Sequence, residues 1–364
     1  MPAYKDKKSG KWYVQFWYTD YNGTKKKKLK RGFNKKSEAQ TYESEFKLTT
    51  SGSSEMTFRS LVADYLEDSS HRLRETTVEN KTYLIETKLL PFFGDMPINK
   101  IDAITVRKWQ NFVLKQTTKE GKKLSQTYMK SINNQLSAVL NYAVKFYNLP
   151  NNPIHKTGSI GKKNADSMDF WTVDEFDKFI EPVSNKIQSV MIFNLLFWTG
   201  IRSGELLALT LDDFDREKKT VSINKSYVRL KKKDIISEPK TPKSNRSITL
   251  PDFIFEMLDE YLAALVDYEN DERLFTVTKF YLNHEMKRGS KNSGIKKIRV
   301  HDLRHSHASL LIELGFSPLL IQERLGHEDV QTTLNTYAHL YPNKQEEVSN
   351  KLDEIKNGIK TESE

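Results

Sequence analysis

The stretch H-D-L-R-H-S-H-A-S-L-L (His301 to Leu311) carries the strongest local signal in this chain. Together with L-G-H-E-D-V-Q-T-T-L-N-T-Y-A-H-L (Leu325 to Leu340), it holds five of the eight histidines within 39 residues, interleaved with Arg304 and Tyr337. The five are His301, His305, His307, His327 and His339. Three explanations compete for such a cluster: a metal site, core packing and phosphate chemistry.

A metal site is the explanation that the neighbouring residues oppose. His301 and His305 are four residues apart, but zinc hydrolases with that helical spacing place a glutamate beside the first histidine and a third ligand nearby. Asp302 and Arg304 flank the histidines here instead, and the arginine puts a positive charge where a dication would sit. We expect no metal and no other cofactor.

Core packing explains part of the cluster. A helix beginning near Asp302 and closed by Gly315 would bury an apolar face. That face comprises Leu303, Ala308, Leu311 and Leu314. His307 and His339 are assigned to structure or surface, whereas His301, Arg304 and His327 do not fit a packing role.

Phosphate chemistry explains those remaining residues. A phosphodiester attacked in line gains negative charge on its non-bridging oxygens, and a guanidinium binds two oxygens while staying charged at every working pH. Arg304 is one candidate. The stretch T-G-I-R-S-G-E-L-L-A-L (Thr199 to Leu209) supplies another, Arg202, before a short helix predicted to be capped by Ser203.

Strand cleavage also needs a nucleophile and a proton donor. Tyr337 lies on a predicted helix that starts after Asp329, and tyrosine attack gives a covalent phosphoester, so that a strand can be cut and rejoined without ATP. A lysine near the DNA can protonate the leaving 5′-oxygen. Lys240 and Lys243, in E-P-K-T-P-K-S-N-R-S-I-T-L-P, are the candidates, on a predicted hairpin turn.

Length, composition and charge limit the classes of protein to which this chain can belong. The 364 residues suggest two or three domains, and the absence of cysteine excludes disulfides and cysteine-ligated zinc. No apolar run reaches the roughly 18 residues that span a bilayer, so we expect a soluble intracellular protein without membrane contact. The net charge is +10; residues 1–50 hold 13 Lys and Arg against 5 Asp and Glu, which favours a nucleic-acid partner.

The sequence of the basic N-terminus also predicts its secondary structure. Gly10 to Phe33 reads as a hairpin with a turn at Asn22-Gly23, followed by a third short strand and a helix. Trp12, Phe16 and Trp17 would form a small core against that helix. The cations that would face a DNA groove are Lys25, Lys26, Lys27, Lys28 and Arg31.

The whole chain is therefore predicted to be a multidomain α+β protein. Residues 1–50 form a three-stranded sheet with a helix, residues 57–150 an all-helical domain, and residues 168–364 a mainly helical domain with a small antiparallel sheet. The segments at 49–55 and 151–166 are interpreted as linkers.

Four short motifs in this order resemble the tyrosine recombinase family, the phage-type integrases. T-G-I-R-S-G-E-L matches the first arginine box of that family, H-D-L-R-H-S the second, L-G-H the following histidine and N-T-Y-A-H the nucleophile box. The resemblance implies that Arg202 and Arg304 clamp the scissile phosphate, that His301 and His327 stabilise it and relay protons, and that Tyr337 forms a 3′-phosphotyrosine. It also implies that Lys240 is the general acid, with Lys243 as the alternative.

The resemblance further implies a bivalent integrase acting on double-stranded DNA in the cytoplasm of a bacterial host, associated with the nucleoid. Residues 1–50 would bind arm sites, and residues 57–150 would close a clamp around core sites. An apolar stripe in the C-terminal tail would dock on a neighbouring protomer in a homo-tetramer, and a DNA-bending host factor and an excision factor are possible partners. The stripe comprises Val348, Leu352, Ile355 and Ile359. Two alternatives stay open: a type IB topoisomerase, and a DNA-binding regulator without catalysis.

Overall fold

The computed structural model describes residues 3–6, 9–19, 25–50, 56–118, 120–163, 169–239, 242–265 and 268–337. The chain divides into two compact units, Met1–Asp166 and Ser167–Glu364. The predicted Asn22-Gly23 turn, Lys240, His339 and the C-terminal apolar stripe lie outside the described residues.

The first unit begins with a three-stranded antiparallel sheet and a helix, as the sequence predicts. The elements are β1 (Tyr4–Lys5), β2 (Trp12–Thr19), β3 (Lys25–Phe33) and α1 (Lys36–Thr50). The predicted place of the third strand is wrong, since β1 precedes the hairpin. Tyr4 pairs with Tyr13 and stacks on its ring. Two residues, Asn34 and Lys35, separate β3 from α1. The Glu38 carboxylate, in the first turn of α1, accepts the backbone N–H bonds of both.

The two faces of this sheet differ because side chains alternate along a strand. Val14 and Phe16 are buried against Ala39 of α1. Trp12 packs partly against the same cluster. The prediction that Trp17 joins this core is wrong: it lies on the opposite face and is 63% exposed.

Helices make up the rest of the first unit. They are α2 (Phe58–Arg72), α3 (Glu75–Leu84), a π-helical turn (Ile85–Leu89), α4 (Leu90–Phe93), α5 (Ala103–Lys115), α6 (Gln126–Phe146) and α7 (Ile154–Thr157). Thr57, Asp102 and Ser125 cap α2, α5 and α6, each accepting a bond from a backbone N–H. The linker interpretation of 151–166 is wrong for its first part, because Ile154 and Ile160 are buried in the helical core.

The second unit is mainly helical. Its helices are α8 (Val173–Ile180), α9 (Ile187–Thr199), α10 (Ser203–Leu206), α11 (Asp252–Ala263), α12 (Lys279–Ser293), α13 (Asp302–Glu313), α14 (Pro318–Leu325) and α15 (Val330–Tyr337). The strands are β4 (Phe214–Asp215), β5 (Thr220–Ile223), β6 (Ser226–Leu230), β7 (Lys233–Ser237) and β8 (Arg246–Thr249). They form two antiparallel sheets, one ordered β4-β5-β8 and one of β6 with β7.

Helix α9 is central to this unit because its sequence I-Q-S-V-M-I-F-N-L-L-F-W-T is apolar on every side. Phe193 and Phe197 are fully buried in the main core. A second cluster joins α13, α14 and α15 around Tyr337. Gly315 ends α13 with φ +82°, as predicted, but the predicted core residue Leu314 is 62% exposed.

The arrangement of the strands corrects the predicted position of a hairpin turn. Lys231 and Lys232, both with positive φ, form the tight turn between β6 and β7. The segment that contains Lys240 and Lys243 instead connects β7 to β8, which belong to different sheets. It is therefore not the predicted hairpin turn. None of the helices in the described part of the chain combines the length and the apolar character that a membrane span requires.

Candidate active site

The turn after α9 places the first arginine. Gly200 ends the helix with φ +66°, and a Cβ there would lie 2.8 Å from side-chain atoms of His307 and Leu325. Only glycine fits this close approach without strain. Two residues later Arg202 caps α10, so the prediction of Ser203 as the cap is wrong. The Glu205 carboxylate accepts the Arg202 backbone N–H at 3.0 Å.

The second arginine is fixed between two helix ends. Arg304, in the first turn of α13, donates from Nη1 to the Gly200 carbonyl at 2.7 Å and from Nη2 to the Leu325 carbonyl at 2.6 Å. The residue is 2% exposed. Burial, together with the charge of Arg202, lowers the pKa of Arg304 to about 9, so the guanidinium remains charged at neutral pH.

The two arginines meet at one place. Arg202 donates from Nη2 to the Gly326 carbonyl at 3.3 Å, while Arg304 donates to the carbonyl of the preceding residue, Leu325. Because adjacent carbonyls receive the two guanidiniums, both lie at the C-terminal end of α14. The structure thus brings together two cationic forks that are about a hundred residues apart in sequence.

Glu205 and Arg246 are site residues to which the sequence reading gave no role. The Glu205 carboxylate is 4% exposed and contacts Arg202 Nη1 at 2.6 Å and Arg246 Nη2 at 3.0 Å. Burial opposes its charge, but Arg246 and Arg202 hold the pKa of the carboxyl below its ordinary value. The spacing of three residues from Arg202 could have indicated Glu205; Arg246 has no local signal.

Glu205→Gln should lower the free energy of unfolding by about 3–5 kcal/mol, because it leaves the buried guanidinium of Arg246 without a counter-charge. The pKa of Glu205 is lower in the folded than in the unfolded protein, so its ionised carboxylate stabilises the fold in full above the ordinary carboxyl pKa. The loss of stability should therefore be full at neutral pH and should shrink as the pH falls from the ordinary pKa toward the lowered one. Urea unfolding at several pH values measures it.

Asp259→Asn is the matched control. It removes the carboxylate of the Arg216–Asp259 pair, whose side chains are 50% and 58% exposed, and an exposed pair contributes only about 0–1 kcal/mol. Equal losses in the two variants would show that Glu205 does not hold the arginines together.

Two histidines lie beside the arginines. His327 follows Gly326, and its Nδ1 is 2.9 Å from Thr333 Oγ1. Burial, with the charges of Arg304 and Arg202, lowers the pKa of His327 to about 3. Partial burial and the nearby His305 lower the pKa of His301 to about 4. Both rings are therefore neutral at neutral pH and can each offer one N–H donor to a phosphate oxygen.

Tyr337 is held inside the protein. It is 1% exposed and packs with Ala308, Ile321 and Leu325. Its hydroxyl is 2.5 Å from Nδ1 of His305. Burial raises the pKa of the phenol well above its ordinary value. The hydroxyl is therefore shielded from solvent in this structure.

Of the two candidate lysines, the structure describes only Lys243. Lys240 lies outside the described residues. Lys243 donates from Nζ to the Glu328 carbonyl at 2.8 Å, one residue beyond His327. The β7–β8 connection therefore reaches the rim of the site, and the choice between the two lysines stays open.

The predicted N-terminal cations do not share one face. Lys27 and Arg31 lie over the rings of Trp17 and Tyr13, on the face turned away from α1. Lys28 instead lies 5.0 Å from the ring centroid of Phe46 in α1. The side chains of Lys25 and Lys26 are outside the described part of the chain.

No group of three or more His, Asp or Glu residues suited to a metal ion occurs within the described ranges. The pair His301 and His305, with ring centroids 5.3 Å apart, lacks a third ligand there. Arg304 and Arg202 add positive charge around it.

Three family models match successive parts of the chain. An arm DNA-binding domain matches residues 2–50, an N-terminal SAM-like domain of phage integrases matches residues 57–114, and the phage integrase family matches residues 167–344. The chain is 30% identical over 314 residues to the ICEBs1 integrase of Bacillus subtilis (strain 168), covering 82% of this chain and 83% of that protein. It is 25% identical over 355 residues to the integrase of Staphylococcus phage L54a, covering 85% and 97%.

Solved structures show the same fold. The Tn1549 transposon integrase in complex with a circular intermediate DNA superposes with a TM-score of 0.66 at 19% identity, covering 82% of this chain and 99% of that one. A lambda integrase dimer bound to a COC' core site gives 0.55 at 20% identity, covering 76% and 97%.

Proposed function

The chain belongs to the phage integrase family of tyrosine recombinases, and from that premise we propose that it integrates and excises a prophage or other mobile element by site-specific DNA recombination. The observation that carries the proposal is the pair of guanidiniums, Arg202 and Arg304, converging on the carbonyls of Leu325 and Gly326. Such a pair suits a phosphodiester whose charge grows during in-line attack.

Arg202 and Arg304 are the phosphate clamp in this proposal. Arg304 is pinned by two carbonyls, and Arg202 is 35% exposed, so it retains donors that can turn to a phosphate. Their positions are set before DNA arrives, which removes a reorganisation cost from the reaction. His301 and His327, neutral at neutral pH, add hydrogen bonds to the non-bridging oxygens.

Tyr337 is the nucleophile. Its oxygen forms a bond to phosphorus as the bond to the 5′-oxygen breaks, leaving a 3′-phosphotyrosine and a free 5′-hydroxyl. Lys240, or Lys243 as the alternative, protonates the leaving oxygen. A second such exchange resolves the Holliday junction formed by the first pair of strands.

DNA contacts extend over both units. We assign residues 1–50 to arm sites, residues 57–150 to core sites and residues 168–364 to catalysis, in line with the family models. A homo-tetramer on DNA joined through the C-terminal tail, a host factor that bends DNA and an excision factor complete the proposed assembly.

Lys27→Ala and Arg31→Ala should each weaken arm-site binding and reduce the slope of log K against log salt concentration by about 1, because each loses a phosphate contact. Both cations lie on the sheet face with exposed Trp17. Lys30→Ala is the control, since Lys30 pairs with Val14, whose side chain faces α1. The measurement is a series of arm-site binding curves at several salt concentrations with the full chain. An unchanged slope for Lys27→Ala and Arg31→Ala would show that this face of the sheet does not contact DNA phosphates.

A plasmid assay tests the proposed function against its nearest alternative. With the DNA-bending host factor and the excision factor present, a supercoiled plasmid carrying the two end sequences of the element that encodes this chain should yield two product circles. A type IB topoisomerase would relax any supercoiled plasmid and exchange nothing. Relaxation of a plasmid that lacks those sequences, without product circles, would contradict the proposal. A regulator without catalysis would leave both plasmids unchanged.

A further inference from the structure

The hydrogen bond between Tyr337 and His305 joins the nucleophile to a residue that has no role in the scheme above. Nδ1 of His305 is 2.5 Å from the Tyr337 hydroxyl, and the ring centroids are 5.6 Å apart. At this distance the hydroxyl and Nδ1 form a direct hydrogen bond, along which a proton can pass from oxygen to nitrogen.

Both partners are fixed by their surroundings. His305 follows Arg304, whose bonds to the ends of α9 and α14 anchor the first turn of α13. The Tyr337 ring packs against Ala308, one turn further along the same helix, and against Ile321. Because neither side chain needs to search for the other, the contact is preorganised.

The protonation states suit proton transfer from oxygen to nitrogen. Burial lowers the pKa of His305 below its ordinary value, so the ring is neutral at neutral pH. With its proton on Nε2, the ring presents an unprotonated Nδ1 to the phenol, and the hydroxyl donates. Burial raises the pKa of Tyr337, so the phenol keeps its proton until a partner accepts it during attack.

The other site histidines are less well placed for this task. Nδ1 of His327 is already bonded to Thr333 Oγ1 at 2.9 Å. The ring of His301 lies beside that of His305, with centroids 5.3 Å apart. His305 is the histidine whose nitrogen the structure puts on the attacking oxygen.

We propose that His305 is the proton acceptor for Tyr337 in DNA cleavage and its proton donor in rejoining; this inference rests on the proposed function. As the phenol oxygen bonds to phosphorus, its proton moves to Nδ1 and the ring becomes an imidazolium. The 5′-oxygen leaves with a proton from the lysine. In rejoining, the 5′-hydroxyl attacks, the lysine takes its proton, and His305 returns a proton to the departing phenolate.

Two variants of His305 separate proton transfer from positioning. His305→Asn keeps a hydrogen-bond acceptor close to the place of Nδ1 but has no basicity, and His305→Ala leaves space for added imidazole. We expect both to slow covalent-complex formation by about 10²–10⁴-fold, and imidazole to restore part of the rate of the Ala variant. Duplex binding should stay unchanged.

The substrate separates the nucleophile side of the reaction from the leaving-group side. A suicide duplex with sulfur in place of the bridging 5′-oxygen has a leaving group that needs no proton. This duplex should restore cleavage by Lys240→Ala or Lys243→Ala, whichever removes the general acid, and should leave His305→Asn slow. His284→Asn is the matched control, an exposed histidine on α12, and should cleave at the wild-type rate.

Each outcome either supports or overturns the inference about His305. A wild-type protein that forms no covalent complex overturns the proposed function, and the inference with it. With an active wild type, His305→Asn at an equal or higher rate overturns the inference alone, as does its rescue by the sulfur-containing duplex. Slow cleavage by His305→Ala that imidazole does not raise also overturns it, because a purely structural role gives that result.

Discussion

Tyr337→Phe forms no covalent complex with a nicked suicide duplex, while its affinity for the same duplex stays within about twofold of the wild type. This is the largest effect we expect, because the substitution removes the single oxygen that attacks phosphorus. Loss of a nucleophile in other covalent enzymes costs about 10⁶-fold in rate. The complex is counted on a denaturing gel.

Folding effects should be small for this variant. Phenylalanine keeps the ring that packs with Leu325 and loses one hydrogen bond, to His305. Tyr281→Phe is the matched control: its hydroxyl is bonded to Ser189 Oγ at 2.8 Å, a residue outside the proposed site, and it should cleave normally. A covalent adduct formed by Tyr337→Phe at the wild-type rate would mean that another residue attacks.

Arg202→Lys and Arg304→Lys should each slow cleavage by about 10²–10³-fold. Lysine keeps the positive charge, so attraction to DNA persists, but its ammonium cannot replace the planar fork that serves two acceptors at once. Arg304→Lys should also lower stability, because a single nitrogen cannot occupy both positions, Nη1 and Nη2, from which Arg304 bonds the Gly200 and Leu325 carbonyls.

Single-turnover rates and binding curves separate the two effects. Arg216→Lys serves as the control, since that arginine is half-exposed and pairs with Asp259, which is not a residue of the proposed site. A loss of affinity as large as the loss of rate would mean that Arg202 and Arg304 attract DNA without stabilising the reaction.

Much of the fold follows from local patterns in the sequence. Period-3.6 spacing predicts α5 and α6, and the strongly apolar stretch from Ile187 to Trp198 predicts α9. What local patterns cannot give is the pairing of distant segments. β8 pairs with β5, and the segment with Lys243 joins two sheets, whereas the sequence analysis predicted a hairpin turn there.

The site shows the same division. The types of Arg202, Arg304 and Tyr337 indicate phosphoryl transfer because the reaction needs two forks and a nucleophile. Their convergence depends on carbonyls at the ends of α9 and α14, which no side-chain motif encodes. Arg246, bound to Glu205 across 41 positions, and the burial of Tyr337 are likewise tertiary facts.

Mass spectrometry of the covalent complex tests the central claim most directly. Wild-type protein is trapped on a suicide duplex, digested with nuclease and protease, and the peptide that carries a nucleotide is sequenced. We expect a single 3′-linked nucleotide on the hydroxyl of Tyr337. A nucleotide on any other residue, or one linked through a 5′-phosphate, would contradict the chemistry assigned to this site.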